Sequence, residues 1–335
     1  MTGGDPGPGE PFISTGALPE PRQVQAWVES AHRAYAKDRD GSPSNVYPAL
    51  ARVEPDQFGI CVVGAGGRSY TAGDVDNVFA LMSVSKPFVF ALVCGELGSG
   101  RMRDLLGANG TGLAFNSLEA IERSGDGRTN PMVNPGAIAA SSLVPGSDLE
   151  EKWAFVQQGL SRFAGRELEL DEEILTSALE TNSVNRAIAS LLASRGRIYC
   201  DPAEAITLYT RQCSLATSAR DLAAMGATLA CGGVNPMTGR RVVAGSVCHH
   251  TLAVMVTAGM YETSGDWLYD VGLPGKSGIG GGIVTVSPGK GGMGSFGPRL
   301  DDAGNSVKGQ LAAAFLSQKL GLDLLTSSAP ATADP

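Results

Sequence analysis

The 335-residue chain lacks several features that mark nucleic-acid-binding, membrane and exported proteins. Its 26 Lys and Arg residues are scattered and its formal net charge is −8, so we expect no nucleic-acid partner and no membrane partner. No apolar stretch reaches membrane-spanning length. The first residues, 1–6, contain neither a basic segment nor an apolar one, so we expect no signal peptide.

Metal-ligand and disulfide patterns are also missing. The chain has three histidines, none in a His-Glu-x-x-His pattern. The adjacent His249 and His250 would not share a helix face, which favours a polar patch near a helix start over a metal site. The six cysteines lie far apart and form no Cys-x-x-Cys motif. We therefore expect reduced, mostly buried thiols in a cytoplasmic protein.

The composition that is present, 43% hydrophobic and 18% charged residues, is that of a globular protein. Residue patterns predict strands at 58–64, 69–72, 283–286 and 291–296. They predict helices at 23–36, 148–160, 171–193, 203–209, 218–231, 246–260 and 307–320. We therefore predict an α/β subdomain from 21–82 together with 266–325, a helical subdomain at 83–265, and a cleft between them. The tails, 1–20 and 326–335, are predicted to be disordered.

Two short motifs point to a reaction. Ser83-Val84-Ser85-Lys86 is followed far downstream by Lys276-Ser277-Gly278. This pair of motifs is typical of serine β-lactamases and penicillin-binding proteins. Apolar runs flank the first motif and place it at the start of a buried helix, where Pro87 fits the first turn. Together the motifs predict a serine acyl-transfer site.

The residue types suit that chemistry. A serine hydroxyl is a weak nucleophile at neutral pH and needs a base beside it. Lys86 lies three residues after Ser83 on the same helix face, and burial would favour its neutral form. The Lys-Ser-Gly segment is predicted to be an inner strand that lines the pocket. The amide of the next residue, Ile279, is then placed to donate to an oxyanion.

Longer segments of the chain resemble the serine-dependent glutaminases. Residues 130–138 read Asn-Pro-Met-Val-Asn-Pro-Gly-Ala-Ile, where the family has Asn-Pro-Met-Val-Asn-Ala-Gly-Ala-Ile. Further segments resemble the family in order along the chain, at 221–230, 235–239, 259–261, 271–278 and 304–309. The resemblance runs from about Gln23 to Leu325.

This resemblance implies a fold of the serine β-lactamase and penicillin-binding-protein type. That is an α/β (α+β) fold, in which an antiparallel sheet with flanking helices is joined to a helical subdomain. It implies hydrolysis of L-glutamine to L-glutamate and ammonia. It also implies a small-molecule amide substrate, no metal or organic cofactor, and a homodimer or homotetramer.

The resemblance also implies roles for particular residues. Ser83 would be the nucleophile and Lys86 its base. The backbone amides of Ser83 and Ile279 would form the oxyanion hole. The matching substrate-binding positions are Asn134, Asn185, Tyr209 and Tyr261, with Tyr261 also a candidate proton relay.

One departure from the family concerns charge. The family has a Glu seven residues before the second substrate-binding Asn, and here Ala178 precedes Asn185 by that spacing. The resemblance implies that this Glu would receive the α-ammonium of glutamine. Removing one partner of a buried charge pair costs about 2–5 kcal/mol. Glu180, two residues later, is predicted to point away from that helix face.

Two further departures remove or displace polar groups. The family's Tyr-Ile-Pro is Val46-Tyr47-Pro48 here, so the tyrosine is shifted by one residue and is predicted to face elsewhere. The Gln that commonly precedes the nucleophile is Met82. Neither change touches Ser83, Lys86 or the oxyanion strand.

These features leave several hypotheses. The leading one is a glutaminase that works through a Ser83 acyl-enzyme. The alternative keeps that chemistry in a diverged amidohydrolase or acyltransferase acting on a different amide or ester, because Ala178 replaces the family Glu. A metabolite-binding protein without catalysis and a β-lactam-binding enzyme are the remaining possibilities. Replacing Ser83 by Ala would leave ligand binding and function unchanged in a metabolite-binding protein but not in an enzyme. Covalent labelling of Ser83 by a penicillin would support a β-lactam-binding enzyme.

Overall fold

A five-stranded antiparallel sheet forms the centre of the α/β part of the protein. The structure, a computed structural model, describes residues 16–326, so residues 1–15 and 327–335 of the predicted disordered tails lie outside the described residues. The strands of the chain are β1 (Gly59–Gly64), β2 (Ser69–Gly73), β3 (Phe79–Ala80), β4 (Ala216–Thr217), β5 (Gly275–Ser277), β6 (Gly282–Ser287) and β7 (Gly291–Phe296). The large sheet has the order β2-β1-β7-β6-β5, and β3 pairs with β4 separately.

Helices surround the sheet and fill the middle of the chain. They are α1 (Pro21–Tyr35), α2 (Ser85–Leu97), α3 (Ser99–Leu106), α4 (Glu119–Arg123), α5 (Asn134–Ser141), α6 (Leu149–Ala164), α7 (Glu172–Thr181), α8 (Ser183–Ser194), α9 (Pro202–Cys213), α10 (Ala219–Ala230), α11 (Gly245–Ala258), α12 (Ser264–Val271) and α13 (Val307–Leu320). The predicted antiparallel sheet with flanking helices is confirmed. Among residues 16–326, no helix is both long enough and apolar enough to cross a bilayer.

The sheet is covered on both faces, which explains the apolar sequence of its strands. All six residues of β1 and all six of β6 are buried. Helices α1 and α13 cover one face, around Val28, Ile60 and Leu316. Helix α10 covers the other so closely that a Cβ on Gly292 or Gly294 of β7 would overlap the backbone of α10. The glycines of β7 therefore allow a helix from the middle of the chain to pack directly on the sheet.

Helix α2 is the central element of the second, helical core. Its first ten residues, 85–94, are all buried, and residues 88–94 belong to the hydrophobic cluster that joins the other central helices. A helix that is apolar on every side belongs inside a core rather than on a surface. The turn that begins this helix is therefore held by packing on all sides.

Two sequence predictions need correction. The single helix predicted at 171–193 is two helices, α7 and α8, because the backbone leaves helical geometry at Asn182 (φ −83°, ψ 39°) and the Asn182 side chain is committed to internal hydrogen bonds. Lys276-Ser277-Gly278 is not an inner strand, since β5 pairs only with β6 and forms an edge of the sheet. An edge leaves backbone groups unpaired, which suits a strand that faces a ligand.

The other predicted elements are largely confirmed. Helix α6 ends four residues later than predicted, at Ala164, and α9 continues past Tyr209 to Cys213. All six cysteines lie within the described residues as free thiols, four of them buried and two, Cys200 and Cys231, partly exposed.

Candidate active site

Ser83 lies in a strained turn at the start of α2. Residues Met82–Val84 form a short 3-10 helix that runs directly into α2, and Ser83 is buried. Met82 has a φ of 46°, and within residues 16–326 Tyr261, at 58°, is the other non-glycine residue with positive φ. Such a conformation costs roughly 1–3 kcal/mol and persists only where the surroundings enforce it. The two strained residues flank the same site, which the sequence did not indicate.

Lys86 is buried in the first turn of α2. Its Nζ donates a 2.7 Å hydrogen bond to Asn134 Oδ1 and lies 5.9 Å from the ring centroids of both Phe115 and Tyr209. Burial lowers the pKa of Lys86 to about 7, and the Cys213 thiol opposes part of that shift. A lysine in this setting exchanges a proton near neutral pH, as a general base must.

The turn after β5 packs against the backbone of the turn that carries Ser83. A Cβ on Gly278 would lie 3.3 Å from the Ser83 amide nitrogen and 3.1 Å from the Leu81 carbonyl oxygen, so glycine permits this approach. Within the turn, the Gly278 amide donates to the Gly282 carbonyl and the Gly281 amide donates to the Gly278 carbonyl. The Ile279 amide takes no part in these two bonds. The arrangement fits an oxyanion hole made by the amides of Ser83 and Ile279.

Tyr261 and Lys276 meet at one carbonyl of β5. The Tyr261 hydroxyl donates to the Ser277 carbonyl oxygen at 3.1 Å, and Lys276 Nζ donates to the same oxygen at 2.7 Å. Lys276 Nζ also lies 4.0 Å from the Tyr261 ring centroid. Burial raises the pKa of Tyr261, although a contact with Ser83 works against that rise. Burial, together with the neighbouring Lys86, holds the pKa of Lys276 well below that of an ordinary lysine.

Helices α5, α8 and α9 supply a set of linked polar side chains. Asn134, the first residue of α5, accepts hydrogen bonds at Oδ1 from Lys86 and, at 3.1 Å, from the Tyr209 hydroxyl. Those two donors fix the amide orientation, so Asn134 Nδ2 donates to Asn185 Oδ1 at 2.9 Å. The predicted residues Asn134, Asn185 and Tyr209 are therefore joined in one hydrogen-bonded unit with Lys86.

The linked set continues through two residues that the sequence analysis did not single out. Asn185 Nδ2 donates to Asn182 Oδ1 at 2.6 Å, and Asn182 Nδ2 donates to Thr210 Oγ1 at 3.0 Å. All three side chains are buried. The Asn-x-x-Asn spacing across a helix start is the one sequence signal that could have identified Asn182.

One cavity of about 110 Å³ brings most of these residues together. Five of the seven predicted site residues line it, namely Ser83, Asn134, Asn185, Tyr209 and Ile279. Lys86 and Tyr261 do not line the cavity themselves. Lys86 donates a hydrogen bond to Asn134, and Tyr261 contacts Ser83. Phe115, Thr210 and Cys213 also line it, and they were not predicted.

The residues where the chain departs from the family pattern lie in the same cavity wall. Ala178, on the buried face of α7, and Met82 both line the cavity, while Glu180 is exposed and does not, as predicted. The prediction that Tyr47 faces elsewhere is wrong, because Val46 and Tyr47 both line the cavity. They lie in an irregular, bent segment without strand alternation, so successive side chains can face one space. Burial raises the pKa of Tyr47.

Comparisons with known proteins agree on one family. The glutaminase family model matches residues 41–325. Glutaminase 2 of Yersinia pestis is 64% identical over 316 residues, covering 94% of this chain and 93% of that protein. A glutaminase of Brucella canis is 47% identical over 304 residues, covering 91% of this chain and 96% of that protein.

Solved structures give the same result. The probable glutaminase ybaS superposes with a TM-score of 0.91 at 42% identity, over 92% of this chain and all of that one. A probable glutaminase of Bacillus subtilis superposes with a TM-score of 0.81 at 31% identity, over 90% of this chain and 96% of that one. The predicted β-lactamase-like fold is confirmed.

Proposed function

This chain belongs to the glutaminase family and hydrolyses L-glutamine to L-glutamate, and we propose that it does so through an acyl-enzyme at Ser83. The observation that supports this mechanism best is the position of Ser83. Ser83 lies in a strained turn that leads into the helix carrying Lys86, a buried lysine whose pKa is about 7, and Gly278, next to Ile279, packs against its backbone amide.

In the first step, Ser83 Oγ attacks the γ-carboxamide carbon while Lys86 Nζ accepts the hydroxyl proton. The carbonyl oxygen becomes an oxyanion that accepts hydrogen bonds from the amides of Ser83 and Ile279. The C–N bond then breaks. The departing nitrogen takes the proton that Lys86 accepted, relayed through the Tyr261 hydroxyl, and leaves as ammonia.

In the second step, water attacks the ester carbon. Lys86 accepts a proton from that water, the same two amides hold the oxyanion, and the bond to Ser83 Oγ breaks as Lys86 gives the proton to that oxygen. The products are the free carboxylic acid and the regenerated serine. Asn134 keeps Lys86 in place throughout, since its Oδ1 accepts hydrogen bonds from Lys86 Nζ and from the Tyr209 hydroxyl.

Ammonia release from L-glutamine by wild type, Ser83→Ala and Ser190→Ala tests this mechanism. Ser190 is an exposed serine of α8 whose hydroxyl bonds only to the Arg186 carbonyl, so it controls for loss of a hydroxyl. Loss of a nucleophile lowers kcat by about 10³-fold or more. A Ser83→Ala variant that retained wild-type turnover would contradict the mechanism, and Ser190→Ala should match wild type.

Ala178 favours a second candidate, in which another amide or an ester is the preferred substrate or the acyl group passes to another nucleophile. Ala178 lines the cavity and offers no charge to a substrate ammonium. Ammonia release from a panel of amides, with acyl transfer to added amines measured in parallel, separates this candidate from a strict glutaminase.

We also propose a cytoplasmic homodimer or homotetramer. Six free thiols support a reducing compartment. The oligomeric state rests on the family alone, and light scattering of the purified chain tests it.

A further inference from the structure

The walls of the reaction cavity carry no negative charge. Among the described residues that line it, none is Asp or Glu. Glu173, Glu180 and Glu262 do not line it: Glu173 pairs with Arg52, and the other two are exposed. A substrate ammonium would therefore leave water without meeting a counter-ion, which is unfavourable.

The linked amides of the cavity wall are neutral and are bonded to one another. Both lone pairs of Asn134 Oδ1 are used, by Lys86 and Tyr209. The oxygens of Asn185 and Asn182 each accept a hydrogen bond from another side chain or amide of the linked set. Each of these three amides uses one N–H within the set and keeps a second. Such a wall offers donors to carboxylate and carbonyl oxygens, whereas an ammonium would meet only neutral acceptors and no carboxylate.

Ala178 and Asn182 define the part of this wall that sets the specificity. They lie four residues apart at the end of α7, on one helix face, and both line the cavity. Ala178 contributes a methyl group. Asn182 is neutral and is held by Asn185 and Thr210, so it is not free to turn towards a cation.

The mouth of the cavity is apolar. Val46 and Val184 both line it while remaining 53% and 46% exposed, so they stand between the cavity and solvent. A small acyl group on a substrate nitrogen would bury apolar surface against them.

We propose that this site also hydrolyses γ-carboxamides that have no free α-ammonium, at an efficiency at least equal to that for L-glutamine. The substrate class comprises glutarate monoamide and α-N-acylated glutamine. The proposal rests on the proposed function, because it uses the same Ser83 chemistry, in which water and the amide give the acid and ammonia.

The test measures kcat/KM for ammonia release from L-glutamine, glutarate monoamide and N-acetyl-L-glutamine by the full chain. We expect wild type to use both ammonium-free amides at least as well as L-glutamine. Ala178→Glu should shift the ratio towards L-glutamine by about tenfold or more, because a buried carboxylate pairs with the ammonium. Ala178→Gln, of matched size without charge, should leave the ratio within about threefold of wild type.

The outcomes separate this inference from the proposed function. A wild-type preference for L-glutamine over both ammonium-free amides would overturn the inference and leave the Ser83 mechanism intact. Ammonia release that Ser83→Ala does not abolish for any of the three amides would overturn the mechanism, and the inference with it. The wild-type ratio decides the question even where Ala178→Glu does not fold.

Discussion

Two walls of the reaction cavity differ in what an amino-acid substitution there would change. The Ser83 wall, formed by Met82, Ser83 and Ile279, depends on backbone geometry, with a positive φ at Met82 and a glycine, Gly278, against the Ser83 amide. The α7–α8 wall, formed by Ala178, Asn182, Val184 and Asn185, depends on side chains alone. Replacing a side chain on the second wall changes what is bound, whereas a change on the first wall alters the reaction itself.

The largest expected effect comes from Lys86, behind the Ser83 wall. Lys86→Met should lower kcat for L-glutamine by about 10²–10⁴-fold, because the serine loses its general base. The free energy of unfolding should match or exceed that of wild type at pH 7, since a buried ammonium is replaced by an apolar side chain of similar length. Ammonia release and urea denaturation measure the two effects. A variant with wild-type activity would contradict the role of Lys86 as the base, and an unfolded variant would contradict the expected stability.

The pH dependence of wild type reports on the same lysine. The pKa of Lys86 is lowered to about 7, so the neutral base is the major form above that pH and is lost as the pH falls below it. We expect kcat/KM for L-glutamine to fall by about tenfold per pH unit below about pH 7. The raised pKa of Tyr261 keeps its hydroxyl protonated over this range. A rate that is flat between pH 5 and pH 9 would show that Lys86 does not act as the base.

A smaller effect is expected from Asn182 on the α7–α8 wall. Asn182→Ala removes the partner of both Asn185 and Thr210, and a buried polar group left unpaired costs about 1–3 kcal/mol. We expect kcat/KM to fall by about tenfold, mainly through KM, because Asn185 loses its fixed orientation. Steady-state kinetics beside thermal unfolding separates positioning from stability. Ser190→Ala, which removes an exposed hydroxyl of α8 that does not line the cavity, is the control.

The smallest effect is expected from Glu180. This carboxylate lies two residues beyond Ala178 but is exposed and does not line the cavity. Glu180→Gln should change kcat/KM for L-glutamine by less than about twofold, since an exposed charge is well screened. A larger loss, restricted to substrates with an α-ammonium, would mean that Glu180 reaches the ligand.

The two walls also differ in how far the sequence predicts them. The Ser-x-x-Lys and Lys-Ser-Gly motifs predicted that Ser83 and Ile279 meet, and the structure places both in one cavity. The strain at Met82 and Tyr261 could not be predicted, because it is imposed by packing around α2 and β5 rather than by local preference. The break at Asn182 was missed for a similar reason, since apolar periodicity continues from α7 into α8 and only a tertiary hydrogen bond to Thr210 marks it.

Tyr47 shows the limit of reasoning from spacing. A shift of one residue would reverse the facing of a side chain in a strand, and the prediction assumed such alternation. The segment is irregular, so Val46 and Tyr47 both reach the cavity. Position in sequence predicts facing only where the backbone has a fixed period.

The most direct test of the central claim, a covalent ester at Ser83, is partition of the reaction with hydroxylamine. An acyl-enzyme predicts that wild type with L-glutamine and hydroxylamine forms γ-glutamyl hydroxamate at the expense of glutamate. Ser83→Ala should form neither product, and Ser190→Ala should behave as wild type. Glutamate formation by Ser83→Ala at the wild-type rate, without hydroxamate, would contradict the account.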